Sequence, residues 1–248
     1  MFIMIDGIDG SGKSTVVQVW KDYLASQGNA IFDLKHYWKT NGRYPELEET
    51  RAYDFIFSCE PTFAGMGKVI REELIKNGAD YPPRAIVEAF SLDRLILYKK
   101  IIIPLLASGK AVVQDRGVST SLAYQSLSRR TGSGSRLDVG TNPEFTFAKI
   151  AEFVGNQLAL ENRPDHLVIA KIPADKALAR LHERSGKKDN AIFEKLDFQT
   201  KAAAIFYSKA YQKIFTGRGT TIHYLNTDAE IGIMRKEAAD LLKKILKT

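Results

Sequence analysis

The chain has 248 residues, 44% hydrophobic and 26% charged, with a formal net charge of +7, which suits either nucleic acid or small polyanionic substrates. It is long enough to bury a substantial core, and it carries no internal repeat or low-complexity tract. Cys59 is the single cysteine and excludes an internal disulfide, while Phe2–Ile5, the longest apolar run near a terminus, is too short for a signal peptide or membrane span, so a cytoplasmic location is expected.

Phe2–Ile5 has the length of a strand. It leads into Gly7-Ile8-Asp9-Gly10-Ser11-Gly12-Lys13-Ser14, which fits the phosphate-binding loop G-x-x-x-x-G-K-[ST], with Thr15 directly behind it. Glycines let the backbone turn its N–H groups onto phosphate oxygens. Lys13 reaches the β- and γ-phosphates in such a loop, and the Ser14 hydroxyl ligates Mg²⁺. Val16, Val17, Trp20, Tyr23 and Leu24 then recur at helical spacing and predict a helix over 14–27, whose positive dipole end faces the same anion.

Lys39–Glu49 is polar and turn-rich, with Tyr37 and Trp38 before it. A strand is predicted over 54–58, followed by Glu60-Pro61-Thr62 and a helix over 64–77. Pro82-Pro83 opens a helix over 83–107, and Ser108-Gly109 closes it. On it Phe90 and Arg94 are four residues apart and share a face, able to hold a planar base and its polar edge; a core Phe beside an exposed Arg is the plainer alternative. The predicted strand 111–114 ends in Asp115-Arg116, either a surface ion pair or a site where the carboxylate holds Mg²⁺ or takes a proton and the guanidinium binds phosphate.

Helices are predicted over 119–129 and 143–162, separated by a Gly/Ser-rich loop at 129–141, and a strand over 166–171. A helix over 174–184 carries Arg180 and Arg184 and runs into a Lys-rich loop at about 185–194, which reads either as a solvated loop or as a lid. A helix over 195–215, a strand over 220–225 and a helix over 229–247 complete the chain. The alternation predicts an α/β fold of the P-loop NTPase type: three α/β/α layers, a central five-stranded parallel sheet and a lid segment, as one domain over 1–248. Ligands should gather at the carboxyl ends of its strands.

Taken together, these strings resemble the thymidylate (dTMP) kinase family. Ile5–Thr15 is similar to that family's E-G-x-D-G-[SA]-G-K-[ST]-T opening, and Glu60-Pro61 with Gly67 is similar to R-E-P-G-G-T-x-x-G. Phe90–Arg94 resembles F-x-A-D-R, and Asp115-Arg116 with Ser121–Gln125 resembles D-R-Y-x-x-S-S-L-A-Y-Q. The resemblance implies a homodimeric enzyme that uses ATP and Mg²⁺ to phosphorylate dTMP. It implies that Gly7, Ile8, Asp9, Gly10, Ser11, Gly12, Lys13, Ser14 and Thr15 hold the ATP phosphates, with Ser14 and Asp115 toward the metal. It further implies acceptor contacts from Asp9 to the deoxyribose, Phe90 and Arg94 to the base, Arg116 to the phosphate, and Tyr124 and Gln125 along the nucleoside, with Glu60 beside them. Lys13, Asp115, Arg116 and Arg184 are the expected catalytic group.

The chain departs from the family pattern in places, and residues 29–53 read as an insert, longer than the family has between its first helix and second strand. Cys59 stands where the family has an Arg that contacts phosphate, Thr62-Phe63-Ala64 replaces Gly-Gly-Thr, and Gly117 replaces a Tyr. Ala191-Ile192 replaces the lid Asp-Arg, leaving Arg184, Lys187 and Lys188 as nearby cations, and Gly10 stands where some members carry Arg. Two competing readings follow. One is a deoxynucleoside kinase using Glu60 as base; the other is a non-catalytic nucleotide- or nucleic-acid-binding protein that stacks bases on Tyr37, Trp38 and Tyr44.

Overall fold

The structure, a computed structural model, describes residues 1–127, 144–183 and 193–247. Its framework is one parallel sheet. In chain order the elements begin with β1 (Phe2–Asp6), α1 (Lys13–Ser26), β2 (Ile31–Asp33), α2 (Leu34–Asn41), β3 (Phe55–Cys59), α3 (Gly65–Val69), α4 (Pro83–Leu97) and α5 (Ile103–Ala107). They continue with β4 (Ala111–Asp115), α6 (Val118–Gln125), α7 (Phe147–Ala151), α8 (Val154–Glu161), β5 (His166–Lys171) and α9 (Ala174–His182). The last are α10 (Leu196–Phe206), α11 (Lys209–Thr216), β6 (Thr221–Asn226) and α12 (Ile231–Ile245). The strand order is β2-β3-β4-β1-β5-β6.

β1 is buried along its whole length, as a central parallel strand must be. Its side chains alternate between two cores. Phe2 and Met4 pack on the face covered by α4, α6, α8, α10 and α11. Ile3 and Ile5 pack on the face covered by α1 and α12, where the Trp20 indole N–H donates to the Ala238 carbonyl at 2.8 Å and ties the two helices together.

Among the described residues the sheet has six strands, not the expected five. The extra one, β2, lies within the predicted insert and pairs in parallel with β3 at the sheet edge. α2 follows it at once, capped by the Asp33 carboxylate accepting from the His36 N–H at 3.2 Å and ended by Gly42 at φ 67°. The predicted 83–107 helix is interrupted by a π-turn at Tyr98–Ile102, which precedes Pro104, a residue that has no N–H and crowds the carbonyl four positions back. The single helix expected over 195–215 is two, because the Ser208 hydroxyl accepts from the Tyr211 N–H at 3.3 Å and starts α11 afresh. The helix expected over 143–162 is likewise split into α7 and α8. The Gly/Ser-rich loop and most of the expected lid, including Arg184, Lys187 and Lys188, lie outside the described residues.

Candidate active site

β1, β3 and β4 end at the same sheet edge, and the loop after each turns over a cleft of about 910 Å³. Gly7, Gly10 and Gly12 in the loop after β1 have φ of 141°, 75° and 84°. A Cβ on Gly10 would also sit 2.0 Å from the Ala177 carbonyl oxygen, which explains why no side chain occurs there. Lys13 is threaded through the loop, its ammonium donating to the Gly7 and Ile8 carbonyls at 2.9 and 2.7 Å and to the Ser11 hydroxyl at 3.2 Å. Burial, helped by the nearby Arg116 charge, pushes this ammonium down to about 8 against the pull of Asp115, Asp9 and Asp6. Asp9, Gly10, Gly12 and Ser14 line the cleft, with Ser14 in the first turn of α1.

The loop is moored by Asp6, a residue that the motif does not include. Its fully buried carboxylate accepts from the Gly7 N–H at 2.7 Å, from the Thr120 hydroxyl at 2.6 Å and from Ser119 on α6. Burial raises its pKa against the pull of Arg116 and Lys13.

Arg116 adopts φ 67°, a left-handed conformation that costs a non-glycine residue about 1–3 kcal/mol. Its own N–H donates to the Ile5 carbonyl at 2.9 Å, and its guanidinium pairs with Asp9 and stands 3.8 Å from Asp6. These acids hold it charged, above the usual arginine range, against the opposing effect of burial. Burial alone would raise Asp9, but Arg116, Lys13 and hydrogen bonds from Gln199 and Tyr124 outweigh it and lower the pKa. Gly117 is extended, and a Cβ there would come within 2.5 Å of the Met4 methyl, so a side chain in place of this glycine would require Met4 to shift.

Gln199 on α10 was not marked by any motif. Its amide donates to Asp9 Oδ2 at 2.9 Å, and its carbonyl accepts from the Asp9 N–H at 3.0 Å and the Tyr124 hydroxyl at 3.2 Å. Its sequence signal is a polar residue in register with Ala202 and Phe206 on an otherwise apolar face.

Glu60 and Arg94 form a buried pair at 2.5 Å, 3% and 1% exposed. Arg94 also donates to Asn156 and, at 3.0 Å, to the Ser121 hydroxyl; the other Glu60 oxygen accepts from Gln114 at 3.0 Å. Burial raises Glu60 to about 7 despite Arg94. The sequence placed Arg94 at the edge of an acceptor base; here it lies behind the wall that Glu60, Phe90 and Ser121 present to the cleft. Phe90, Asp115, Arg116, Tyr124 and Gln125 line the cleft itself. Asp115 Oδ1 and Gln125 Oε1 are buried and make no hydrogen bond among the described residues. Asp93 fixes the turn beneath, accepting from the Thr62 N–H at 2.8 Å and hydroxyl at 2.7 Å.

A phosphate-cradling loop that shares one cleft with an aromatic-walled pocket and a buried arginine defines a P-loop nucleotide kinase. A sequence model of the family described as "Thymidylate kinase" matches residues 45–238, and the chain belongs to that family. Relatives include the thymidylate kinase of Kosmotoga olearia, 29% identical over 80% of this chain and 76% of that one. A probable thymidylate kinase of Pyrobaculum aerophilum is 26% identical over 86% of this chain and 84% of its own. The thymidylate kinase of Mycoplasma mobile is 25% identical over the full length of both. The phosphate loop and the β2–α2 segment precede the matched stretch.

Proposed function

We propose that this chain transfers the γ-phosphoryl group of ATP to dTMP, giving ADP and dTDP. The observation that carries this reading is Arg116. It is clamped by Asp9 against the phosphate loop and also lines the cleft that runs to Phe90, so donor phosphates and acceptor share one cavity. Lys13 and the loop N–H groups would hold the β- and γ-phosphates at the positive end of α1. Arg116 would hold the acceptor phosphate in line with them, Phe90 would stack on the base, and Gln125 would offer its free carbonyl oxygen. Asp9 and Tyr124, braced by Gln199, would flank the sugar. Phosphoryl transfer asks chiefly for positioning and charge neutralisation, which these groups supply.

Mg²⁺ binds one or two carboxylates together with substrate phosphates. The unpartnered Asp115 Oδ1 and the Ser14 hydroxyl, both on the cleft, suit it. These two residues would hold the ion, which supplies charge neutralisation on the donor phosphates. A smaller recess of about 340 Å³ shares Gly10 and Gly12 with the main cleft and is lined by Thr15, Arg180, Thr227, Ala229, Ile231 and Met234. Arg180 donates to the Thr227 carbonyl at 2.8 Å and so holds its guanidinium plane at this recess, which suits stacking on the donor base.

Glu60 argues against the deoxynucleoside kinase reading, because Arg94 and Gln114 occupy both of its carboxylate oxygens. The chain is further read as a single kinase domain, a homodimer and a cytoplasmic enzyme; sedimentation equilibrium would test the dimer. Among the described residues no helix is long and apolar enough to cross a membrane. The decisive assay is ADP release from Mg-ATP with dTMP, dUMP, other nucleoside monophosphates and thymidine. Selective turnover of dTMP is expected. Turnover of thymidine without dTMP would overturn the proposal.

A further inference from the structure

The acceptor side of the cleft gathers more positive charge than the roles above use. Lys35 and Lys39 are one turn apart on α2, and both line the cleft. α2 is firmly seated. Leu34 and Trp38 are fully buried beneath it, and its cap Asp33 is gripped by Lys21 at 2.5 Å. The lysine ammonium groups stand 5.5 and 4.8 Å from the centre of the Phe63 ring. Arg71 stacks on the same ring at 3.9 Å, while its Nε donates to the Pro61 and Thr62 carbonyls at 3.0 and 3.1 Å.

Neither lysine forms an ion pair with any described residue. Of the acids nearby, Asp33 pairs with Lys21 and Glu72 with Lys68 at 3.9 Å, while Asp115 and Asp93 act on Arg71. Three like charges around one ring repel one another, and an anion among them relieves that repulsion. Cys59 lies at this sheet edge, opposite Asp115 in the β3–β4 register. Its thiol is pushed up to about 12, chiefly by burial, and supplies no charge of its own. The positive charge that β3 lacks at its end is present on α2, a helix that precedes residues 45–238 matched by the family model.

We propose that Lys35 and Lys39, with Arg71, join Arg116 in holding the acceptor's 5′-phosphate and select a nucleoside monophosphate over the free nucleoside. The inference rests on the phosphotransfer reading of this cleft. It assigns a function to the β2–α2 segment and identifies Phe63 as the surface against which the three cations are arrayed.

The test is calorimetric binding of dTMP, thymidine and ATP to the wild-type protein and to three double variants: Lys35→Ala with Lys39→Ala, Lys35→Arg with Lys39→Arg, and Lys35→Glu with Lys39→Glu. Both lysines reach solvent, and thermal melts verify that each variant is folded. The alanine pair should bind dTMP about 10- to 100-fold more weakly, with thymidine and ATP unchanged. The arginine pair should keep most of the dTMP affinity, and the glutamate pair should lose it. Unchanged dTMP binding by the alanine pair, or a parallel loss of thymidine, would overturn the inference while leaving the kinase reading intact. A wild-type protein that binds thymidine but not dTMP would overturn both.

Discussion

The two halves of the cleft are built differently. The donor half is an eight-residue loop between a strand and a helix, with its conformation written into three glycines and one lysine. The acceptor half is assembled from the ends of β3 and β4 and from α2, α4, α6 and α10, with contacts spanning up to 190 residues of sequence, as between Asp9 and Gln199. Local geometry suffices to present backbone N–H groups to a phosphate, whereas recognition of a base, a sugar and a second phosphate needs walls from several elements. Changes on the donor side should therefore act on one step, and changes on the acceptor side should divide by which part of the acceptor they touch.

The largest effect should come from the donor half. Lys13→Ala removes the ammonium that spans the loop and should lower kcat about 10³-fold. It should not unfold the protein, because it also removes a buried charge whose pKa is depressed by burial. A variant that unfolds at the wild-type temperature or higher, with kcat lowered about 10³-fold, would match this expectation. Retained turnover would remove the loop from the mechanism.

The next effect belongs to the acceptor half. Phe90→Ala should raise the KM for dTMP about 10- to 100-fold, the worth of one base stacked on an aromatic ring, and leave the KM for ATP unchanged. Equal changes in both constants would mean that Phe90 supports the cleft as a whole and does not stack on the acceptor. Against the Lys35/Lys39 variants, Phe90→Ala should also weaken thymidine, since it acts on the base and they act on the phosphate.

This contrast also decides what the sequence could show. The phosphate loop was legible because its chemistry and its conformation lie in consecutive residues. Five of the six strands were legible as apolar runs between turn signals. β2 was not, since three residues are too few to show a period, although Asp33 before Leu34 and Trp38 with Gly42 after them carried the start and stop signals of α2. On the acceptor side, residue types predicted candidates but not engagement. Nothing in the spacing of Phe90 and Arg94 foretells that Asn156, 62 residues away, and Glu60 would draw the guanidinium behind the wall. Gln199 shows in the sequence only as a polar residue on an apolar helix face, since its role exists only once α10 docks against the loop after β1.

The smallest expected effect separates the two halves by pH. The Lys13 ammonium is held down at about 8, while Arg116 keeps its charge throughout the accessible range. Below pH 8 both the folded and the unfolded chain carry the Lys13 proton, and the folded state bears the full cost of burying it. Between about 8 and the ordinary lysine value the folded side chain is neutral while the unfolded one is still charged. Stability therefore rises with pH in that window, by at most about 1.4 kcal/mol per pH unit, and Lys13→Met should abolish that rise. Donor binding should move the opposite way, because only the ammonium attracts phosphate. The apparent affinity for ATP should fall as pH passes 8, by about tenfold per unit beyond it. The affinity for dTMP should show no break there if Arg116 and the cations around Phe63, and not Lys13, carry its phosphate. A break at the same pH in both profiles would mean that Lys13 serves acceptor and donor alike, and that the two halves are coupled through Arg116 and Asp9.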